Sequence, residues 1–379
     1  MCARLSAMRK KYKYYDIRHL IRDYPTARYY VAVGERSGGK TYSALDYALE
    51  QAKLGEQFAY IRRFNEDIRP KNLGSLFDAH INNGRIQGIF DNKFSSLEYT
   101  GAKFVLVKRN EDGKKDPDSE PLLIGRAFDL NGMEHYKSIA FPAITTVIFD
   151  EFLSRQGYLP NEFILFQNCL STIIRDRDNV KIIMLGNTVN KYCPYFEEMG
   201  LTHIKDQAQG SVDVYKYGSS GLEVVVEYVE SSKTQGGKSS DVYFAFDNPE
   251  LKMITDGSWE IGIYPHLPID SFKPREIAAQ FFIKFNNEIL HGYVISKGGD
   301  APFVFMHKKT TEVKGKTDIV YTSVPDSNPY HRFGLTNQPD KLSQFIKRCI
   351  IEGRVFYASN EVGETFRNYR MWEGTLRSV

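Results

Sequence analysis

The sequence has few cysteines, and neither the cysteines nor the histidines form clusters. Cys2, Cys169, Cys193 and Cys349 are far apart and show no C-x-x-C spacing, and the eight histidines are scattered along the chain. The cysteines are therefore predicted to be reduced thiols in a cytosolic compartment. The same scatter predicts no zinc site.

The sequence also lacks long apolar runs and a strong charge imbalance. No run is long enough to span a membrane, and the basic start, residues 1–15, is not followed by the apolar segment of a secretory signal. We therefore expect no membrane contact. The net charge of +3 is too small for a protein coated in basic surface, so any nucleic-acid contact must come from local clusters. The basic start is either a solvated arm or one such contact.

A glycine-rich stretch, residues 34–41, matches the phosphate-binding pattern G-x-x-x-x-G-K-[ST]. It follows a β-branched run and precedes a stretch that suits a helix, which is the context that the pattern requires. Lys40 is predicted to reach the β- and γ-phosphates of ATP, and the Thr41 hydroxyl to bind Mg²⁺. The alternative is a glycine turn between core elements. The predicted nucleotide-binding residues are Gly34, Arg36, Ser37, Gly38, Gly39, Lys40 and Thr41.

Two acids follow a continuous apolar, β-branched run at residues 143–149. Such a run is typical of a strand inside a parallel sheet, and ligands bind such sheets at the carboxyl ends of their strands. Asp150 is predicted to hold Mg²⁺ as the Walker B acid, and Glu151 to polarise the water that attacks the γ-phosphate. The alternative is that both acids merely cap a helix.

Two further candidates lie after Asp150 and Glu151. A predicted strand at 180–186 ends at Asn187, which is either a sensor of the γ-phosphate or attacking water, or a residue that simply starts a loop. A predicted helix at 161–174 ends in Arg175, with Arg177 close behind. Basic residues suit the last turn of a helix, but Arg175 also stands where ring ATPases carry an arginine finger for the neighbouring subunit.

Charge divides the chain into three predicted parts. These are a P-loop ATPase domain at 1–200, an acidic linker or lid segment at 201–270 with a net charge of −6, and a last domain at 271–379 with a net charge of +5. The middle part contains a Ser- and Gly-rich run at 231–240. The last part opens with a hairpin signal at 279–295 and closes with two helical stretches, which predicts a mixed α/β domain.

Further strands are predicted at 57–63, 103–108 and 122–128, the last two as an antiparallel pair. The polar connection between that pair carries Lys108, Arg109, Lys114 and Lys115, together with four acids. It is either a contact for a phosphate backbone or a solvated turn.

In combination these motifs resemble the DNA-packaging ATPase, or encapsidation protein, of small short-tailed phages of the picovirus type, a compact analogue of the terminase large subunit. Order and spacing agree over most of residues 27–200, and the similarity beyond about 270 is weaker. The segments that carry the resemblance are 34–41 with Arg36, 58–63 (FAYIRR), 149–152 (FDEF), 160–162 (PNE), 175–177 (RDR), Asn187 with Asn190, and 194–196 (PYF).

The resemblance implies a homo-oligomeric ring, a pentamer, at the portal or connector of an empty procapsid. This ring would use ATP and Mg²⁺ to drive double-stranded DNA inward. It implies a protein of the host cell cytoplasm that acts transiently at the portal vertex, with a packaging RNA as a further partner in part of the family. It also implies a P-loop domain of the additional-strand, catalytic-glutamate type, and makes Arg175 the leading trans-acting finger. Asn65 stands where some relatives have a second trans-acting cation, which puts that cation in doubt.

For the last domain the resemblance implies an RNase H-like nuclease fold that is vestigial, because picovirus-type enzymes package unit-length genomes without cutting. The first predicted strand offers Lys284 where such a nuclease needs an Asp, and Asn286 follows it. Asp300 and Asp318 remain, but without a partner on the first strand they do not make a two-metal site. Nuclease activity is not expected.

Three other functions share a P-loop. An assembly or secretion ATPase would not bind DNA. A small-molecule kinase would need an Arg-rich lid, whereas residues 201–270 contain no arginine. An ATP-gated adaptor with little turnover would not need both Asp150 and Glu151.

Overall fold

The computed structural model describes residues 14–136, 138–155, 157–188, 190–204, 206–230, 259, 262–269 and 272–376. The predicted linker run at 231–240 and nearly all of the basic start lie outside the described residues. The chain divides into two compact units. Unit 1 comprises Met1–Arg155 and Asn161–Trp259, and unit 2 comprises Gln156–Pro160 and Glu260–Val379.

Unit 1 contains a nine-stranded sheet with the strand order β3-β4-β5-β2-β6-β7-β1-β9-β8. Its six central strands, from β5 to β9 in that order, run parallel, and β3, β4 and β8 pair antiparallel at the edges. The strands are β1 (Tyr29–Gly34), β2 (Gln57–Arg62), β3 (Ser96–Thr100), β4 (Lys103–Val107), β5 (Leu122–Asp129), β6 (Ile144–Asp150), β7 (Lys181–Asn187), β8 (Val212–Tyr217) and β9 (Leu222–Tyr228).

The described helices of unit 1 are mostly short. Its α-helices are α1 (Arg18–Asp23), α2 (Lys40–Lys53), α3 (Pro70–Leu73), α4 (Asp78–Asn82), α5 (Arg85–Ile89), α6 (Glu162–Ile174) and α7 (Pro194–Glu198). Its 3₁₀ turns are Asn65–Ile68, Gly132–Tyr136 and Gly218–Ser220. The predicted helices after the glycine-rich loop and before Arg175 are confirmed as α2 and α6.

Aromatic side chains pack against both faces of this sheet. On one face Phe58 packs against Phe77 and Phe104, with ring centroids 6.0 and 5.1 Å away. On the other face Phe149 packs against Phe166 and Tyr195 at 4.9 and 5.6 Å. Strand β6 is consequently buried along its whole length, as predicted from its continuous apolar sequence.

The predicted connector at 201–270 is wrong for residues 212–228. These residues form β8 and β9, and β9 pairs in parallel with β1, the strand that leads into the glycine-rich loop. Acidic composition does not indicate a connector here, because the acids of these strands have hydrogen-bond or ion-pair partners. Glu227 is buried and accepts a hydrogen bond from the Tyr15 hydroxyl, and Glu223 pairs with Lys216 at 2.6 Å.

Unit 2 contains a six-stranded mixed sheet with the order β14-β13-β10-β11-β12-β15. The predicted hairpin is confirmed as the antiparallel pair β10 and β11. Two helices pack on one face of this sheet, where the ring of Phe285 lies 5.7 Å from that of Tyr369. The elements are β10 (Ile277–Phe285), β11 (Glu288–Ile295), β12 (Phe303–Lys309), β13 (Val320–Thr322), β14 (His331–Phe333), β15 (Val355–Tyr357), a 3₁₀ turn Pro274–Glu276, α8 (Lys341–Ile351) and α9 (Asn360–Leu376).

In the described part of the chain, none of the helices has the length and the apolar content that a membrane span requires.

Candidate active site

The glycine-rich loop joins β1 to α2 at the carboxyl end of the parallel sheet. Two of its glycines are required by geometry. Gly39 has φ +89°, a left-handed conformation that favours glycine. Gly34 lies so close to Val229, the residue that follows β9, that a Cβ atom on Gly34 would be 2.9 Å from the Cβ of Val229. The loop therefore keeps its path only with glycine at both positions.

Lys40 is buried inside this loop. Its Nζ donates to the backbone oxygen of Glu35 at 2.5 Å and to Oδ1 of Asn187 at 3.3 Å. Burial lowers the pKa of Lys40 to about 8, against the opposing influence of the carboxylates of Asp150 and Glu35. A buried ammonium held by neutral oxygens is suited to bind an anion, since a phosphate would supply the negative charge that the site lacks.

Asp150 ends β6 and faces the first turn of α2. The Thr41 hydroxyl donates to the two carboxylate oxygens of Asp150 at 3.0 and 3.2 Å. The Tyr60 hydroxyl, from the adjacent strand β2, donates to Oδ2 at 2.8 Å. Burial and the Asp150 charge raise the pKa of Tyr60 well above its ordinary value, so this hydroxyl stays protonated. The carboxylate is thus held from two sides.

Glu151 follows in a conformation that is unusual for a residue with a side chain. Its φ is +56°, a left-handed conformation that carries a strain cost. Its backbone N–H donates to Oδ1 of Asp150 at 3.0 Å, and its carboxylate pairs with the guanidinium of Arg62 at 2.7 Å. The turn directs both neighbouring acids to the same pocket, although successive side chains of a regular strand point to opposite faces.

Most of the predicted site residues line one pocket of about 330 Å³, which is a volume suited to a small-molecule ligand. Gly34 and Arg36 belong to the loop but are not among the described residues that line it. The lining residues are Ser37, Gly38, Gly39, Lys40, Thr41, Tyr42, Asp150, Glu151, Leu185, Gly186 and Asn187.

The two arginines after α6 have different environments. Arg175 is an exposed residue with φ +53°, and its Nη2 donates to the backbone oxygen of Ile139 at 3.1 Å. It does not line the pocket in the described part of this chain. Arg177 instead donates to five backbone oxygens, those of Phe141, Pro142, Ile144, Ile173 and Ile174, at 2.5 to 3.2 Å.

The basic cluster between β4 and β5 is largely paired with acids. Lys108 pairs with Asp116 at 3.0 Å, and both Arg109 and Lys115 pair with Glu98, at 2.8 and 2.6 Å. These pairs favour the interpretation as a solvated turn over a phosphate contact.

Two residues of β2 that contact the site, Tyr60 and Arg62, were not predicted as site residues. The sequence carries no local signal for either contact, because each depends on the pairing of β2 with β6, which places Tyr60 beside Ile148. Only the order of strands in the sheet reveals them. The sequence predicts a strand at 57–63, but it does not indicate which strand lies next to it.

Comparison with known proteins identifies relatives for part of the chain. The Podovirus DNA encapsidation protein (Gp16) family model matches residues 92–239. The DNA packaging protein of Bacillus phage B103 is 34% identical over 173 residues, 45% of this chain and 47% of the relative. The DNA packaging protein of Bacillus phage phi29 is 32% identical over 168 residues, 43% of this chain and 44% of the relative. The chain thus spans about half the length of these curated relatives.

A chain in the solved structure of the bacteriophage Phi-29 viral genome packaging motor assembly has the same fold. The superposition gives a TM-score of 0.53 with 20% identity and covers 95% of this chain and 100% of that chain. The sequence matches confirm the resemblance to phage DNA encapsidation proteins that the motifs between residues 27 and 200 indicated.

Proposed function

We propose that this chain is an ATP-hydrolysing ring motor that moves double-stranded DNA into an empty procapsid through the portal. The observation that carries the proposal is the pocket in which the Thr41 hydroxyl contacts Asp150 while Lys40 and Glu151 line the same space. This is the set of groups that phosphoryl transfer to water requires. The relatives described above are DNA packaging proteins, and this supports DNA as the substrate.

The donor set fits Mg²⁺. Hydroxyl and carboxylate oxygens are its preferred ligands, and Thr41 and Asp150 present them 3.0 Å apart. When bound, the ion neutralises charge on the β- and γ-phosphates. Lys40 binds the same phosphates from the loop, and the backbone N–H groups of residues 37–41 orient them.

In this mechanism Glu151 accepts the proton of the attacking water. Asn187 contacts Lys40 in the structure and senses the γ-phosphate or the water. Arg175 acts in trans, stabilising the charge that develops in the neighbouring subunit's pocket. Subunits arranged as a pentameric ring would pass each hydrolysis event to the next copy, and sequence-independent contacts to DNA phosphates would move the genome.

The strand order of each unit supports a more specific fold class. Strand β7 lies between β1 and β6, which supports the additional-strand, catalytic-glutamate class. In unit 2, β10, β11 and β12 are antiparallel, and β13 and β14 add in parallel beyond β10, which supports an RNase H-like ancestry. Strand β10 carries Lys284 and no carboxylate, so we propose no nuclease activity.

The partners follow from this function. They are double-stranded DNA, the portal or connector, further copies of the chain and, as in part of the family, a packaging RNA. The site of action is the procapsid portal vertex in the host cytoplasm.

The test is phosphate release from Mg-ATP, measured with the protein alone, with double-stranded DNA, and with DNA and empty capsids. We expect stimulation by both. The Glu151→Gln variant should bind a fluorescent ATP analogue but lose at least about 100-fold in turnover. Glu98→Gln is the matched control, because Glu98 pairs with Arg109 and Lys115 away from the pocket. ADP formation that is stimulated by a nucleoside acceptor instead of DNA, with the phosphoryl group on the acceptor and no phosphate release, would identify a kinase and overturn the motor.

A further inference from the structure

Two consecutive arginines at the end of β2 hold Glu151 in different ways. Arg62 pairs with its carboxylate, whereas Arg63 points to the opposite side of the strand and contacts its backbone. The guanidinium of Arg63 donates to the backbone oxygen of Phe152 at 2.7 Å and to that of Glu151 at 3.4 Å. These carbonyls belong to the two peptides that directly follow the left-handed conformation at Glu151.

Arg63 is itself fixed by a buried network. Its Nε pairs with Oε2 of Glu162, the first residue of α6, at 2.7 Å, and the Tyr195 hydroxyl donates to Oε1 of the same carboxylate at 3.0 Å. The side chains of Arg63 and Glu162 are 8% and 0% exposed. A guanidinium with donors in several directions suits this position, which an ammonium would fill less well.

We infer that Arg63 is a positioning residue that keeps Glu151 in its pocket-facing conformation and ties that conformation to helix α6. The inference rests on the proposed function. A left-handed non-glycine residue persists only where its surroundings hold it, and Arg63 supplies that hold from the side of the sheet away from the pocket. Because Arg175 is the C-cap residue of α6, the same network joins the residue that activates water to the residue proposed to act on the neighbouring subunit.

The principal test is Arg63→Lys, which keeps the charge but removes the fork of donors. We expect turnover in the presence of DNA to fall by about 10- to 100-fold, the scale of a misplaced reacting group, with unchanged affinity for a fluorescent ATP analogue. Arg85→Lys is the matched control. It changes another arginine that pairs with a buried acid of unit 1, Asp46, and should keep full turnover.

A double-mutant cycle separates positioning from general damage. If Arg63 acts through Glu151, then Arg63→Lys should change the residual single-turnover rate of the Glu151→Gln variant by less than about twofold. The same fold-loss in both backgrounds would overturn the inference. So would turnover of Arg63→Lys within twofold of the unaltered chain.

A second variant covers the case in which Arg63→Lys shows no cooperative melting transition. Tyr195→Phe removes only the donor to Glu162, and should lower turnover a few-fold with unchanged nucleotide affinity. Unchanged turnover in this variant would then overturn the inference. Failure of the proposed function is distinguishable from failure of this inference. The first would appear as an absence of ATP hydrolysis in the unaltered chain, and the second as normal hydrolysis that these variants do not change.

Discussion

The guanidinium of Arg62 lies 2.7 Å from the carboxylate of Glu151, between Nη2 and Oε2. The Glu151 side chain is 56% exposed, so the pair is solvated and holds the carboxylate by no more than about 1 kcal/mol. While it lasts, this pair restrains the group that must accept a proton from water. The resting state of the proposed site is therefore the one in which the Arg62–Glu151 ion pair is formed.

Removal of Arg62 should release that restraint. We expect Arg62→Gln to raise the DNA-independent rate of ATP hydrolysis by up to about fivefold, the factor that corresponds to the free energy of an exposed pair. Arg69→Gln is the control, because it breaks the exposed pair with Glu66, which does not involve the pocket. A fall in the basal rate of Arg62→Gln would show that Arg62 assists catalysis directly.

Nucleotide affinity should depend on pH through Lys40. Its pKa of about 8 lies below the ordinary value of 10.5, so above pH 8 the free protein loses the charge that a triphosphate needs. ATP favours the charged form, so binding above pH 8 takes up a proton, and affinity should fall by up to about tenfold per pH unit. Calorimetry in buffers of different ionisation enthalpy measures both effects.

The same shift has a consequence for stability. Between pH 8 and 10.5 the unfolded chain holds the Lys40 proton and the folded chain does not, so the contribution of Lys40 to the free energy of unfolding rises with pH in this window.

Two variants control the prediction for ATP binding. In Lys40→Arg the pH dependence of ATP binding should disappear, and in Lys53→Met, a change of an exposed lysine on the same helix, it should persist. An affinity that stays flat up to pH 9.5 in the unaltered chain would contradict the assignment.

Tyr60 should matter for metal binding. Its hydroxyl fixes one oxygen of Asp150, and removal of a group that orients a metal ligand commonly weakens metal binding by about 10- to 100-fold. Tyr60→Phe should therefore raise the Mg²⁺ concentration for half-maximal ATP hydrolysis by at least about tenfold, with recovery of the maximal rate at high Mg²⁺.

The control for this change is Tyr99→Phe. Tyr99 is also a buried tyrosine of unit 1, and its hydroxyl donates to the backbone oxygen of Ile68. Its loss should leave the Mg²⁺ dependence unchanged. An unchanged Mg²⁺ dependence in Tyr60→Phe as well would mean that Asp150 keeps its orientation without the hydroxyl.

Substitutions of Arg175 and Arg177 should distinguish a role in the neighbouring subunit's site from a role in local structure. Arg175→Ala should lower the DNA-stimulated rate by at least about 100-fold, and mixing with a Lys40→Ala chain should restore part of it, because each mixed ring then contains complete sites. Arg177→Ala should instead lower the melting temperature, since it removes donors from five backbone oxygens. Its activity should not be rescued by mixing. Failure of the Arg175 complementation would leave that residue with only its helix-end role.

The parts of the site that were predictable from the sequence are those written in local patterns. The glycine-rich loop and the acids at 150 and 151 each depend on a few consecutive residues of fixed type, and the structure brings Thr41 to 3.0 Å from Asp150. The parts that were missed depend on neighbours distant in the sequence. Tyr60 reaches Asp150 across 90 positions because β2 lies next to β6, a relationship that no local pattern encodes.

The fold shows the same division. Apolar periodicity identified β6, β7 and the hairpin of β10 and β11, because burial on one or both faces leaves a direct trace in composition. It did not identify β8 and β9, where acids such as Glu227 are buried through specific partners rather than exposed. The composition of a segment indicates only the average environment of its residues. In β8 and β9 the structure depends instead on individual buried acids with specific partners.

The parallel pairing of β9 with β1 limits where this chain can be truncated. Residues 29–33 are matched one by one with 224–228. A fragment that stops at residue 200 would leave the strand that feeds the phosphate loop as an open edge, with a row of unused N–H and C=O groups ready to recruit another molecule. Any truncated version intended for crystallisation or binding work must therefore extend past Tyr228. A shorter fragment is expected to aggregate instead of forming the nucleotide site.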